Sequence, residues 1–164
     1  MHPGRLELLQ RMPIFGGIRE EALAVLLGRA RVAAVRAGGE FFRENDPAQS
    51  MFVLEAGSVT VIKSWQGRDV ALRRLAVGDC FGEMALIDLY PRSASVRADE
   101  DCRALEFGPE DLMHLFEHDM EQFALIQMNL ARELSRRLRS TDAMLFRARM
   151  GETSERPQGS TPAA

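Results

Sequence analysis

The residues best suited to chemistry lie between positions 81 and 96, in the sequence Phe-Gly-Glu-Met-Ala-Leu-Ile-Asp-Leu-Tyr-Pro-Arg-Ser-Ala-Ser-Val. Gly82 permits a ligand to approach the backbone closely, and Glu83 to Ile87 favour about one turn of helix. The free N–H groups and the dipole at a helix start attract anions, and Pro91 ends the turn. The stretch therefore predicts a binding site for one small phosphate.

Arg92 and Ser93 complete this predicted site. The guanidinium of Arg92 is a planar donor fork that suits phosphate oxygens, and Ser93 adds a hydroxyl. Each charged residue alone has a simpler explanation, because Glu83 could be satisfied locally at a helix start and Arg92 could form a surface ion pair with Asp88 or an acidic neighbour. Their occurrence together and in this order favours ligand binding.

Short strands must position these residues. Apolar segments alternate with glycine-containing turns at intervals of about ten residues, which is typical of an antiparallel sandwich or barrel. The predicted strands are 32–35, 40–43, 51–54, 58–63, 70–75, 93–98 and 102–107. Helices are predicted at 5–10 and 19–30 before the strands and at 110–117 after them. The predicted fold class is thus mainly β with flanking helices.

A long helix is predicted at 120–147. Its apolar stripe recurs at steps of three and four and comprises Phe123, Ile126 or Gln127, Leu130, Leu134, Leu138, Thr141 and Leu145. A helix of this length cannot bury its whole stripe against a small β domain, so we expect it to pair with the same helix of a second subunit. The alternative is a helix that folds back onto its own domain.

Composition limits the class of protein. The 164 residues suit one domain, and a net charge of −3 gives no basic excess for nucleic acid. Cys80 and Cys102 are expected to be small buried hydrophobes in a cytoplasmic protein, since neither a secretory segment nor a membrane span is found. We expect one domain at 1–150, followed by a disordered tail at 151–164 that is rich in Pro, Ser and Thr.

The histidines argue against an enzyme. A metal-dependent enzyme on a β-barrel needs two or three His with a carboxylate on the strands, but the chain has only His2, His114 and His118, all outside the predicted strands. His114 and His118 lie four residues apart on a helix without a Glu beside them in a metal-binding pattern. We therefore expect neither a metal nor catalysis.

The stretch from Phe-Gly-Glu-Met-Ala-Leu-Ile to Pro-Arg-Ser-Ala-Ser-Val resembles a known motif. It is similar to the phosphate-binding cassette of the cyclic nucleotide-binding domain family, which includes catabolite activator proteins, regulatory subunits of cyclic-AMP-dependent kinase and cyclic-nucleotide-gated channels. The order of strands and helices from about Pro13 to Arg147 follows the same family. The resemblance implies an antiparallel β-roll, similar to a jelly roll, with N-terminal helices and a long C-terminal helix.

The resemblance also implies roles for individual residues. Backbone N–H groups of Gly82, Glu83, Met84 and Ala85, together with the guanidinium of Arg92, would hold the cyclic phosphate. Ser93 would donate one more hydrogen bond, and Glu83 would accept from the ribose 2′-hydroxyl. A carboxylate can lie beside a phosphate when a hydroxyl donor separates them and N–H groups share the charge.

The base is harder to assign. Ser93 matches the catabolite activator protein, which favours cyclic AMP, although cyclic GMP is possible. The long helix adds Arg137 and Thr141 as candidate ligand contacts, because Arg-Arg-Leu followed by Thr is similar to the corresponding helix of that protein. Asp142 departs from its pattern, where a Ser contributes from the partner subunit. Arg137 could equally be a solvated basic residue, and Thr141 could be a filler of the helix seam.

The expected function is a cyclic nucleotide sensor that couples the β-roll to the C-terminal helices, with a hinge near Gly108-Pro109 and an unknown effector protein. Two alternatives remain. The chain could be a dimerisation or docking module that kept the fold without a ligand, or the sensor part of a truncated transcription factor. As given, the chain is not expected to bind DNA specifically or to contact a membrane.

Overall fold

The computed structural model describes residues 3–150 of the chain. Helix α1 spans Pro3–Gln10, a 3-10 turn spans Pro13–Phe15, and α2 spans Glu20–Arg29. Eight strands follow: β1 Arg31–Val35, β2 Glu40–Phe42, β3 Met51–Ala56, β4 Val59–Trp65, β5 Arg68–Leu75, β6 Cys80–Phe81, β7 Ser95–Ala98 and β8 Cys102–Phe107. Helix α3, Ala85–Asp88, lies between β6 and β7, and α4, Pro109–His118, and α5, Met120–Arg149, end the described chain.

The strands form two four-stranded sheets in which every neighbouring pair is antiparallel. The first sheet has the order β1-β8-β3-β6 and the second has the order β2-β7-β4-β5. Side chains from the facing sides of the two sheets pack together, because alternate residues of each strand point inward. This arrangement confirms the antiparallel β-roll with flanking helices expected from the sequence.

Two apolar clusters hold the elements together. One lies between the sheets and includes the nearly stacked rings of Phe52 and Phe81, whose centroids are 5.3 Å apart. The other joins the helices to the first sheet and includes Leu23, Leu105 and Leu130, all without exposed surface. The second cluster fixes the start of α5 on the domain. None of the helices described here has the length and apolar character that crossing a membrane requires.

The structure differs from the predicted strands around the candidate site. Residues 93 and 94 were expected to begin a strand, but β7 begins at Ser95, which pairs with Ile62. The reason is that the backbone of Arg92 is bonded to a loop instead: its N–H donates to the Asp46 carbonyl and its carbonyl accepts from the Asn45 N–H. The short strand β6 was not predicted, because two residues are too few to show a periodicity.

Helix α3 is also shorter than predicted. It begins at Ala85 and not at Glu83, with Met84 preceding it, and it ends where Leu89 adopts a left-handed conformation with φ 56°. The strand at 70–75 extends to Arg68, because Gln66 and Gly67 both have positive φ and form a tight hairpin turn between β4 and β5. Strand β5 is therefore a long edge strand.

The apolar stripe of α5 divides into two parts. Ile126 and Leu130 are buried against the domain itself, so this half of the stripe folds back onto the domain, as the alternative to pairing describes. The amide of Asn129 donates to the Ile14 carbonyl and fastens the same half to the 3-10 turn. Further along, Leu138 is 62% exposed, and every residue from 138 to 150 is exposed.

Candidate functional site

Arg92 lies inside the β-roll with 7% of its surface exposed. Its Nη1 donates to the Ser50 carbonyl at 2.7 Å and to the Gly82 carbonyl at 3.2 Å, and its Nη2 donates to Ser50 Oγ at 3.3 Å. The guanidinium lies over the ring of Phe42, 4.0 Å from its centroid. These contacts hold the charged group in one orientation. They also exclude the expected alternative of a surface ion pair with Asp88.

The hydrogen-bonding capacity of Arg92 is not fully used. Its Nε is buried and has no hydrogen-bond partner among the described residues. Burial lowers the pKa of Arg92, and the charges of Glu106, Asp46 and Glu83 offset only part of that effect. An arginine nevertheless stays protonated at neutral pH, so the site contains a buried cation with a free donor. An anion that reaches Arg92 would gain a charge-assisted contact.

Gly82 has a different physical role from the one inferred from sequence. Its φ is +76°, a conformation that disfavours residues with a Cβ. A Cβ placed there would lie 2.5 Å from Nη1 of Arg92 and 3.1 Å from the Ser50 carbonyl oxygen. Glycine is therefore required because the arginine packs directly against this backbone, whatever ligand the site binds.

Glu83 is 2% exposed and is paired with Arg137 of α5. Arg137 also donates through Nε to Glu133, 3.1 Å away, and its Nη2 lies 3.5 Å from the Cys80 carbonyl oxygen. Burial lowers the pKa of Arg137, but the negative charge of Glu83 and the neighbouring Cys80 and Glu133 more than compensate and raise it overall. The ion pair thus joins the cassette directly to the long helix.

Cys80 lies beside this ion pair. Burial raises the pKa of its thiol to about 12, and the charge of Glu83 adds to the effect while Arg137 opposes it. Both cysteines are free and buried, as expected from the sequence. A thiol with such a pKa is protonated at neutral pH and therefore unreactive.

The other predicted site residues are less deeply placed. Met84 is partly exposed, and Ala85 begins α3. Ser93 is exposed, and its carbonyl accepts a hydrogen bond from Lys63 Nζ at 2.7 Å. Thr141 is exposed, and its hydroxyl donates to the Arg137 carbonyl one turn earlier in α5.

A pocket of about 660 Å³, measured to include its open mouth, brings most of these residues together. Its walls contain the predicted residues Gly82, Glu83, Met84, Arg92, Ser93 and Arg137. Thr141 is not among the residues that line it. The pocket wall thus contains the buried guanidinium of Arg92 and the ion pair of Glu83 with Arg137, which is the contribution of α5.

Sequence reasoning missed four residues of this site that lie outside the stretch 81–96. Phe42, Val61 and Arg73 line the pocket, and Ser50 orients Arg92 from below. Val61 and Arg73 occupy opposite positions on β4 and β5, but a register counted from the Gln-Gly turn would have paired Val61 with Leu72, because the register shifts between Val61 and Ile62. Ser50 had no signal either, because its main contact is made by a backbone carbonyl.

The described residues contain no group of three or more His, Cys, Asp or Glu that could hold a metal ion. The rings of His114 and His118 lie 4.0 Å apart on α4, and the His114 carbonyl is 2.8 Å from Nδ1 of His118. These two histidines lie outside the pocket.

The fold and the pocket define a class of protein: an antiparallel β-roll with a pocket that contains a buried arginine and is lined on one side by a residue of the long C-terminal helix. Comparison with known proteins agrees with this class and names the family. Residues 32–119 match the model of the cyclic nucleotide-binding domain. This match covers more than half of the chain, so the chain belongs to the cyclic nucleotide-binding domain family.

The chain is 32% identical over 134 residues to the cyclic AMP receptor protein of Thermus thermophilus, covering 81% of this chain and 60% of that protein. It is 37% identical over 79 residues to the cAMP-dependent protein kinase regulatory subunit of Neurospora crassa, covering 48% of this chain and 20% of that protein. The crystal structure of the Thermus thermophilus catabolite activator protein superimposes with a TM-score of 0.73 at 32% identity, covering 81% of this chain and 61% of the other. The chain spans about three fifths of the first of these curated relatives.

Proposed function

We propose that this chain is a regulatory module that binds cyclic AMP. The observation that supports this most directly is the buried cation of Arg92, whose Nε has no partner among the described residues and which lines the pocket. A phosphodiester that enters the pocket would accept from this arginine, whose burial makes such a contact strong. Ser93 and the backbone near Gly82 would complete the phosphate contacts.

Glu83 restricts the ligand further. Its carboxylate lines the same pocket and is an acceptor only, so it would repel a bare phosphate but accept from a ribose 2′-hydroxyl. A cyclic nucleotide presents a phosphate and that hydroxyl on one rigid ring system. Glu83 and Arg92 together therefore favour a ribose cyclic phosphate over other anions.

Cyclic AMP is the preferred ligand in this proposal, and cyclic GMP is the alternative. The two similar proteins described above are a cyclic AMP receptor protein and a cAMP-dependent protein kinase regulatory subunit. Ser93, next to the cassette arginine, agrees with that preference. One of these relatives is a receptor protein by name and the other a regulatory subunit, so we propose that the chain has a sensing role and no catalytic one, and that it acts in the cytoplasm.

Helix α5 transmits the effect of ligand binding in this proposal. Ligand contacts with Glu83 must share or displace Arg137, so binding would change the docking of α5 if the two arrangements differ in affinity for the ligand. Gly108, at the start of α4, is the proposed hinge, and the module comprises residues 1–150. The effector that reads this change is a protein outside this chain.

We also propose a homodimer formed by the exposed half of α5. Leu138 and Leu145 are 62% and 50% exposed and lie seven residues apart, so they recur on one helix face. Leu138→Glu should give a monomer by sedimentation velocity, because it places a charge in that seam. Arg139→Glu, an exposed neighbour, is the control. A wild-type chain that stays monomeric even at a much higher protein concentration than that used for the variant would contradict the dimer.

The test of ligand binding is thermal unfolding with cyclic AMP and cyclic GMP side by side, with 5′-AMP as the open-phosphate control. A ligand that binds only the folded state at about 100 times its Kd stabilises it by about 2.7 kcal/mol. We expect the larger shift with cyclic AMP and little with 5′-AMP. Equal shifts would remove the base preference, and no shift with any cyclic nucleotide would favour a docking module without ligand.

The proposal does not require that this chain bind DNA. Specific recognition needs an element placed in a groove, and the net charge of −3 gives no basic excess for nucleic acid. We expect no sequence-specific, salt-sensitive shift of duplex DNA by this chain. Such a shift would support the alternative that the chain is part of a transcription factor.

A further inference from the structure

Two histidine rings lie side by side on α4. His114 and His118 are four residues apart, so their side chains project from the same face of the helix. The centroids of the two rings are 4.0 Å apart. His114 is half-buried and His118 is exposed, so a dissolved ion can reach the pair. Neither residue lines the pocket or takes part in the proposed nucleotide contacts.

A hydrogen bond fixes the tautomer of His118. Its Nδ1 lies 2.8 Å from the carbonyl oxygen of His114, and a carbonyl oxygen can only accept. The proton of the neutral ring is therefore on Nδ1, and Nε2 carries the lone pair. Proteins commonly orient a metal-binding imidazole in this way, because a backbone carbonyl that holds one ring nitrogen directs the other towards the ion.

The separation of the rings suits two bonds to one ion. Metal–nitrogen bonds of about 2.0–2.1 Å, in square-planar or tetrahedral geometry, place two neighbouring ligand nitrogens about 3 Å apart. Rings whose centroids are 4.0 Å apart can present nitrogens at that separation. The helix already fixes the backbone of both residues, so binding does not need to order a loop.

The end of α4 also favours a cation. Helix α4 ends at His118, and the carbonyl groups at the end of a helix carry partial negative charge. The next residue, Asp119, caps α5 by accepting from the Gln122 N–H. An ion held by His114 and His118 would therefore brace the last turn of α4 directly before α5 begins.

We propose that His114 and His118 form a binding site for a divalent transition-metal ion of the group Ni²⁺, Cu²⁺ and Zn²⁺. Imidazole nitrogen is a preferred ligand of these ions, whereas Mg²⁺ and Ca²⁺ prefer oxygen. Within residues 3–150 no third His, Cys, Asp or Glu is placed to join the pair, so water would fill the remaining positions.

This site is not a catalytic centre, because catalytic zinc sites have three protein ligands. It departs from the expectation, based on sequence spacing alone, that the chain binds no metal. It is also independent of the proposed function, since the pocket does not include either histidine.

The test is calorimetric titration of the full chain with Ni²⁺, and with Mg²⁺ as the ion that should not bind. Every protein carries His2→Ala, so that His114 and His118 are the remaining histidines. His118→Ala removes one ligand. The matched control combines Met113→His with His118→Ala, which keeps two imidazoles but at adjacent positions that do not share a helix face. Met113 is 55% exposed, so the fold should tolerate this change, and circular dichroism checks it.

We expect one Ni²⁺ per chain in the His2→Ala protein and an affinity at least about tenfold lower in both variants, since even groups that only orient a metal ligand have effects of this size. Cu²⁺ should bind more tightly than Ni²⁺. A small molar fraction of Cu²⁺ should broaden the amide NMR signals of residues 114–118 first. No Ni²⁺ binding to the His2→Ala protein, unchanged affinity in either variant, or broadening centred on another segment would overturn the inference.

Discussion

The carboxylate of Glu83, in the pocket wall, is paired with the guanidinium of Arg137, which lies 54 residues further along the chain on α5. Glu83 is 3% exposed at its side chain and Arg137 is 21% exposed, so the pair is largely shielded from water. The same carboxylate is the residue proposed to accept from the ligand. Ligand binding and helix docking therefore depend on one group, which provides a physical link between the pocket and the exposed half of α5.

Loss of Arg137 should destabilise the unliganded protein. Arg137→Met would leave the Glu83 carboxylate buried without its partner, which we expect to lower the free energy of unfolding by about 3 kcal/mol in urea titrations. Glu83→Gln combined with Arg137→Met should recover part of the loss, because no charge remains buried. Arg136→Met, which removes an exposed neighbour, is the control. Equal losses of unfolding free energy in Arg136→Met and Arg137→Met would show that the ion pair with Glu83 does not contribute specifically to stability.

Arg92→Met should weaken ligand binding much more than it lowers the stability of the unliganded protein. A charge-assisted hydrogen bond contributes about 1.5–3 kcal/mol, so affinity for cyclic AMP should fall at least about tenfold by calorimetry. The unliganded protein should lose little stability, because the hydrogen bonds lost at Ser50 and Gly82 are offset by removal of a buried cation that forms no ion pair with a described residue. Arg97→Met, on the exposed side of β7, should change neither quantity. Unchanged affinity in Arg92→Met would refute the assignment of Arg92.

Gly67 and Gly82 have the same backbone conformation, so substitutions at the two sites distinguish backbone strain from a steric clash of the added Cβ. Gly82 has φ +76° and Gly67 has φ +75°, but a Cβ at Gly67 meets nothing within 4 Å, whereas one at Gly82 meets Arg92. Each Ala substitution should cost about 1–2 kcal/mol for the left-handed backbone. Gly82→Ala should cost more in thermal unfolding and should also weaken cyclic AMP, because Arg92 must move. Similar effects of the two substitutions on ligand affinity would contradict this account.

The thiol of Cys80 should make the stability of the folded protein depend on pH. Folding raises the pKa of its thiol to about 12 by burial, from about 8.5 in an unfolded chain. The unfolded chain then loses the proton first, so this thiol's contribution to stability is present below about pH 8.5 and is lost as the pH rises towards 12. In a Cys102→Ala variant, Ellman's reagent at pH 8 should not label the folded protein but should label one thiol in guanidinium. Rapid labelling of the folded state would show that Cys80 is accessible.

The local pattern of the sequence determined much of the fold. Alternating apolar residues and glycine turns defined seven of the eight strands, and the order of Gly82, Glu83, Arg92 and Ser93 indicated the anion site, because strand period and turn chemistry act between near neighbours. The hairpin at Gln66-Gly67 was placed correctly for the same reason. The regularity of α5 likewise gave its start at Met120.

Tertiary structure decided how distant residues combine. Packing of the chain brings Arg137 into an ion pair with Glu83 and the Ser50 carbonyl into a hydrogen bond with Arg92. It also places Arg73 in the pocket wall. The first half of the α5 stripe is buried, whereas Leu138 is exposed. These contacts depend on sheet register, on backbone groups and on which helix face meets the domain. A periodic pattern shows that a helix has an apolar face, but the partner of that face is set by packing over the whole chain.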